Sequence, residues 1–199
     1  MITDAANKSV LSATAASNDS RRRVRKMFRW AEHMFAGIGA IFLIYHLGFE
    51  VMVMTSGSMA PALQGTSYEN GDRILVEKVT GLFRLPRRFE IYCFYEPDGT
   101  LVAKRVIGLP GERISIKGHQ IYINDAALTV PAWLKNTKYY GYGNLERGQP
   151  VNCGPDYFVL GDDSIDSNDS RYIGPVNRDS FRGRAWYILS PRAHTGFVK

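Results

Sequence analysis

The sequence predicts a mostly β domain, an antiparallel sheet closed into a sandwich or folded barrel, behind one N-terminal transmembrane helix. Three observations carry this. From residue 70 onward, short runs alternate apolar and polar residues, the period of a half-buried strand. Gly and Pro punctuate the joins between them, at Gly71, Pro97-Asp98-Gly99, Pro110-Gly111 and Gly154-Pro155. Ahead of them lies the most apolar part of the chain, Met34 to Phe49, interrupted once by His46.

In order, residues 1–20 are small and polar without a sustained period, and "RRRVRK" follows them. Together, residues 1–27 read as a flexible basic tail. Residues 28–49 are the expected anchor: a comfortable span needs about 20 residues, and starting at Phe28 places Arg29 and Trp30 at headgroup depth. The positive cluster ahead of it places the N-terminus in the cytoplasm and residues 50–199 outside. Two other readings stay open, a buried helix of a soluble protein and a secretory signal cut near Ala60-Pro61-Ala62. "DRILVEKV" (72–79), "IYCFY" (91–95) and "LVAKRVIGL" (101–109) read as strands. "RISIKGHQIYIND" (113–125) reads as a hairpin turning at Gly118, and "YFVLGD" (157–162) and "FRGRAWYIL" (181–189) as late core strands. Residues 126–150, rich in Tyr, Gly and Asn, break the pattern as an inserted loop. No helical period of useful length appears after residue 50.

Composition narrows the function classes. The chain has 199 residues and a formal charge of +6. Residues 1–33 hold seven Lys/Arg against three acids and the rest 18 against 16, so a nucleic-acid-binding body is disfavoured. Two cysteines, Cys93 and Cys153, are too few for a disulfide scaffold and lack metal spacing. Buried thiols are the plainer expectation, and a single bridge stays open.

Three stretches hold candidate chemistry. "SGSM" (56–59) either carries a nucleophile, Ser58, with the Ser58 amide and Ser56 hydroxyl as oxyanion donors, or is a Ser/Gly hinge. None of the four histidines sits in a motif that would orient a triad base, so a serine nucleophile needs another base. Lys104, among Val102, Ala103, Val106 and Ile107, fits if burial removes its charge; Arg105 then faces the other way along the strand. A surface Lys-Arg pair is the alternative. "GDDSIDSNDSRYIG" (161–174) is either a support loop, with Asp–Arg pairs and a serine for the lysine, or a solvated acidic turn. An EF-hand is disfavoured: counting from Asp162, the required Gly and Glu positions hold Ser167 and Ile173.

Taken together, the three stretches resemble the type I signal peptidases, or leader peptidases. "SGSMAPAL" is similar to the family's serine box, "KRVIGLPGE" to its lysine box and "GDDSIDSNDSRYIGPV" to its glycine-aspartate box, in the family's order and behind an anchor. The resemblance implies a membrane-bound serine endopeptidase that removes signal peptides from exported preproteins after small residues, of Ala-x-Ala type. It implies Ser58 as nucleophile, Lys104 as general base, Ser56 in the oxyanion hole and Ser167 orienting Lys104 through a hydrogen bond. It also implies a structural pair Asp169–Arg171, a contact of Asp162 with Arg105, and small-residue pockets lined by Met54, Thr55, Met59, Leu63, Val102 and Ala103. No cofactor or metal is implied; the expected partners are preprotein signal peptides and membrane lipid, with no nucleic acid, and the chain is expected to be monomeric. Thr55 stands where the family commonly has Pro, and Asp163-Ser164-Ile165-Asp166 departs from its usual run. A dedicated pilin- or conjugation-type maturation peptidase, and an inactive membrane-anchored peptide-binding β domain, are the competing readings.

Overall fold

The computed structural model describes the backbone of residues 2–96 and 98–199, and the side chains of 22–23, 25–96 and 98–199. It divides into a helical unit ending at Leu47 and a β unit from Gly48 to Lys199.

The helical unit is α1 (Ile2–Gly48). Residues 2–20, expected as an aperiodic tail, are helical, and their side chains lie outside the described residues. The reason is local: no Gly or Pro occurs before Gly37 and alanines are frequent, so a helix nucleated in the apolar segment propagates backward at low cost. Arg25–Gly48 is long and apolar enough to cross a membrane, with a mean hydropathy of 1.2 and none of its surface buried. Phe49, expected to end the anchor, instead starts a strand, because it pairs with Glu77 across a ladder.

The β unit holds two antiparallel sheets. The larger runs in the order β1 (Phe49–Val53), β2 (Arg73–Glu77), β10 (Phe181–Ser190), β3 (Ile91–Tyr95), β4 (Leu101–Gly108), β9 (Phe158–Leu160), with β11 (Gly196–Phe197) on β10. The smaller runs in the order β7 (Ala126–Ala127), β6 (Gln120–Ile123), β5 (Arg113–Lys117), β8 (Val151–Asn152). Each expected strand is present within a few residues, and the β5–β6 hairpin turns at Gly118, whose φ of +62° suits glycine. The turn residue Pro97 lies outside the described residues. The only α-helices of this unit among the described residues are single turns, α2 (Thr80–Phe83) and α3 (Ser170–Ile173). The 126–150 insert holds β7 and two 3-10 turns, and it buries Leu134, Tyr139 and Leu145 in the core beneath the small sheet.

Strand β3 is buried on both faces. Ile91 and Cys93 join a cluster with Met52, Ile74, Val76 and Ala103, whereas Tyr92 and Phe94 join Val106, Val159 and Val176. That is why "IYCFY" is nearly all apolar rather than alternating. The two cysteines are free and buried in different clusters. Burial raises both thiols, Cys93 to about 12 and Cys153 to about 11, so neither is a thiolate at neutral pH.

Among the described residues, strand β1 pairs only with β2, and residues 101–104 of β4 pair only with β3. These two unpaired edges lie on opposite walls of one cleft, which Met52, Met54, Thr55 and Ser56 share with Leu101–Lys104. The sheet therefore curls toward a barrel but stays open at one seam.

Candidate active site

The cleft at the open seam has a volume of about 230 Å³. At its floor the Lys104 amine lies 2.7 Å from the Ser58 hydroxyl, and the Ser56 hydroxyl lies 3.2 Å from the same oxygen. Lys104 and Ser58 are 3% and 6% exposed. Burial is the first cause that pushes the lysine below its ordinary value, and Arg171 pushes the same way; Asp169, Glu96 and Asp166 oppose them. The Ser58 amide has no hydrogen-bond partner among the described residues, which leaves it free to donate. A hydroxyl beside an amine with a weakened hold on its proton, next to one free amide and a second hydroxyl, can carry out acyl transfer.

The loop that carries Ser58 is held from below. Met59 and Leu63, expected to line the substrate pockets, are fully buried in the core cluster of Met52, Ile74 and Val76 and do not face the cleft. They are apolar pegs that fix the turn, which closes through Ala60 N–H to Gly57 O (2.8 Å) and Leu63 N–H to Met59 O (2.9 Å). Asp72 pins both ends: its carbonyl accepts from Met54 N–H (2.9 Å) and its carboxylate from Gln64 N–H (2.8 Å). The His194 ring nitrogen Nδ1 lies 2.7 Å from that carboxylate. Gly71 is required here, because a Cβ would fall 1.7 Å from the Met54 carbonyl. Met54, Thr55, Val102 and Ala103 line the cleft. Met52 lines it too, at the edge expected to take the substrate, and so do Glu96, Thr100, Leu101, Asp166 and Asn168, which the sequence reading did not single out.

The two expected ion pairs form. Arg105 meets Asp162 through two bonds, Nε to Oδ1 (2.7 Å) and Nη2 to Oδ2 (2.5 Å), on the face opposite Lys104. Tyr139 O–H donates to the same carboxylate at 3.0 Å. Arg171 meets Asp169 the same way, with both bonds at 2.8 Å and neither side chain exposed. The expected Ser167–Lys104 hydrogen bond is not made. Ser167 Oγ is buried without a partner, because its side chain packs onto Gly161 while the lysine amine is engaged by Ser58. Among the described residues no group of three or more His, Cys, Asp or Glu is arranged to hold a metal.

Gly161 joins this loop to Ser58. A Cβ there would sit 2.6 Å from the Ser58 carbonyl oxygen and 2.2 Å from Ser167 Oγ. The Asp163 amide also donates to that carbonyl, at 3.0 Å. Gly161→Ala is expected to push the Ser58 backbone aside and lower kcat/KM about 100-fold. Peptide cleavage assays check this, with a KM close to wild type marking displacement of the nucleophile rather than loss of binding.

Residues 27–189 match the family model for signal peptidase, peptidase S26. The chain belongs to that family. Membership makes it a peptidase and a hydrolase of the signal peptidase family. Signal peptidase I V of Bacillus subtilis (strain 168) is 36% identical over 127 residues, 59% of this chain and 74% of that protein. The probable signal peptidase I-2 of Synechocystis is 34% identical over 158 residues, 75% of this chain and 66% of that one. The crystal structure of a signal peptidase I from Enterococcus faecalis V583 aligns with a TM-score of 0.40 at 37% identity, covering 54% of this chain and 98% of that one.

Proposed function

We propose that this chain is a membrane-anchored serine endopeptidase that removes N-terminal signal peptides from exported preproteins by a Ser58–Lys104 dyad. The observation that carries the reading is the 2.7 Å contact between a buried lysine amine and a serine hydroxyl at the floor of a cleft. With the amine neutral, the Ser58 hydroxyl donates its proton to Nζ as Oγ attacks the scissile carbonyl. The oxyanion takes hydrogen bonds from the Ser58 amide and the Ser56 hydroxyl. Lys104 returns the proton to the leaving amine, then activates the water that hydrolyses the acyl-enzyme.

The substrate lies extended in the seam, pairing with the free edges at Met52–Ser56 and Leu101–Lys104. Alternate side chains of the substrate enter shallow apolar ground formed by Met52, Met54 and Ala103, which supports a preference for small residues of Ala-x-Ala type. The helix over Arg25–Gly48 spans about 36 Å at 1.5 Å per residue, enough for a bilayer core. Arg22, Arg23, Arg25 and Lys26 at its head favour a cytoplasmic N-terminus, with the β unit outside. The β unit also presents Leu82 and Phe83, about 80% exposed, at the end of the sheet where Lys78 N–H bonds Gly48 O and the chain leaves the helix.

The test uses the full chain in detergent micelles with a preprotein carrying an Ala-x-Ala site. Wild type is expected to cut once, after the second alanine, as N-terminal sequencing of the product would report, and Ser58→Ala to leave the preprotein whole. No cutting by wild type, of this preprotein or of a prepilin, would favour a peptide-binding domain without catalysis.

A further inference from the structure

Two carboxylates stand on the cleft wall without a cationic partner among the described residues. Glu96 ends the β3–β4 hairpin, its amide bonded to Thr100 O at 2.9 Å. Its side chain is met among the described residues only by the Asn168 amide, at 3.3 Å. Asp166 lies in the loop after Gly161 with an exposed side chain. Both line the cleft that holds Ser58 and Lys104. Six other acids of this unit do have cationic partners, Glu50 with Lys78, Glu77 with Arg184, Glu90 with Arg84, Glu112 with Arg88, Asp162 with Arg105 and Asp169 with Arg171, whereas none of the residues that line the cleft forms an ion pair with Glu96 or Asp166. The opposite wall, Met52, Met54, Thr55, Ser56 and Ser58, carries no ionisable side chain. A peptide lying in the seam therefore meets a one-sided negative field.

We infer that Glu96 and Asp166 are specificity-determining residues that favour a basic, and reject an acidic, substrate side chain at the second or fourth residue before the scissile bond. The inference rests on the proposed peptidase reading and adds a charge rule to it. The positions follow from strand geometry. If the residues first and third before the bond point into the apolar ground, the second and fourth point out of it. Glu96 sits level with Thr100, four residues along β4 from Lys104, or about 13 Å at 3.3 Å per residue. That is the reach of a peptide's fourth residue.

The same carboxylates also bear on the base. The charged groups acting on Lys104 are Asp169 and Arg171, which are paired with each other, and Glu96 and Asp166, which are not. The unpaired two hold the ammonium charged and so oppose catalysis. A substrate cation that engages them relieves this, whereas a substrate anion adds to the field they make. Charge selection and base activation are then one effect, and it should weaken as salt screens it.

The experiment measures kcat/KM for three otherwise identical peptides with Lys, Gln or Glu at the second, then the fourth, residue before the bond. The enzymes are wild type, Glu96→Gln, Asp166→Asn and the double variant, each as full chain in micelles. Because the ratio between peptides is taken within one enzyme, a loss of folded protein cancels. At one of the two positions wild type is expected to favour Lys over Glu about tenfold, falling toward parity in the double variant and shrinking in high salt. On the Gln peptide the acid limb of the pH profile should move to lower pH in each variant, because the group that must be neutral loses an anion that kept it charged. Equal cleavage of all three peptides by wild type, an unchanged ratio in the variants, or an unmoved acid limb would each overturn the inference while leaving the peptidase reading standing. Absence of any Ser58-dependent cleavage would end both.

Discussion

Lys104→Met is expected to lower kcat/KM by at least about 10⁴-fold and, at neutral pH, to make the folded β unit more stable. The first effect is loss of the only amine within reach of the Ser58 hydroxyl among the described residues. The second follows from burial. A lysine among Val102, Ala103 and Val106 that is 3% exposed holds its proton less tightly than in the unfolded chain. Between the lowered folded value and the ordinary lysine value of 10.5, the unfolded chain binds more protons than the folded one. Stability therefore rises with pH across that window, and the penalty is complete below it. Methionine has a similar length and no charge to desolvate, so the variant lacks the penalty. Melting temperatures of the two proteins should differ most at neutral pH and converge as pH approaches 10.5. A variant less stable than wild type at every pH would mean that the amine is well solvated in the fold, and the case for a neutral base would collapse. The kinetic counterpart is an acid limb of kcat/KM below the ordinary lysine value, since activity appears as Lys104 loses its proton.

How much of this was legible in the sequence follows from what is local. Ser56, Ser58 and Lys104 read from their surroundings alone as a site or as a hinge and a surface pair; the resemblance of their stretches to the family's boxes gave them roles, and the strands around them were marked by alternation and glycine. The Asp162–Arg105 and Asp169–Arg171 pairs were implied by the family resemblance, and they accord with the cost of an unpaired charge in an apolar strand or a tight loop. The pocket was read less well. Met59 and Leu63 flank Ser58 in sequence, and proximity suggested pocket walls. The turn at Gly57 instead sends them inward, and at 0% exposure they hold the loop rather than the substrate. Val102 and Ala103 were expected; Met52, Thr100 and Leu101 join them because β1, at one end of the curled sheet, faces the part of β4 that β9 leaves unpaired, a closure no local pattern announces. Glu96 was within reach: the turn at Asp98-Gly99 pairs it with Thr100, next to a strand already assigned to the site. Strand β1 was hard to bound because Phe49, Val51, Met52 and Val53 follow the apolar helix with only Gly48 and Glu50 between them. The Ser167–Lys104 bond was expected from the family's box, and packing onto Gly161 keeps it unformed here.

Asp169→Ala is expected to cost about 3–5 kcal/mol of stability, the range for breaking a fully buried ion pair by removing one partner. The carboxylate does more than neutralise Arg171. It accepts from the Gly161 amide at 2.9 Å and the Arg171 amide at 3.1 Å, and it caps α3. Its partner donates to the carbonyls of Ser164 (2.7 Å) and Tyr140 (3.2 Å), which ties the 126–150 insert to the loop behind Ser58 and Lys104. This web separates two accounts of the pair. If its worth were charge against charge, replacing both residues by apolar ones, Asp169→Leu with Arg171→Met, would restore stability, as happens for some buried pairs. Here the double variant should stay close to Asp169→Ala, because the amides and carbonyls that the pair satisfies would remain buried without partners. Urea unfolding of the full chain in micelles, followed by tryptophan fluorescence, compares the three proteins. Recovery in the double variant would reduce the pair to simple charge neutralisation. Failure to recover would explain why an ion pair that does not touch the reacting atoms belongs to the site. Through Gly161 and the Asp163 amide it sets where the Ser58 carbonyl lies, and hence where the Ser58 hydroxyl points.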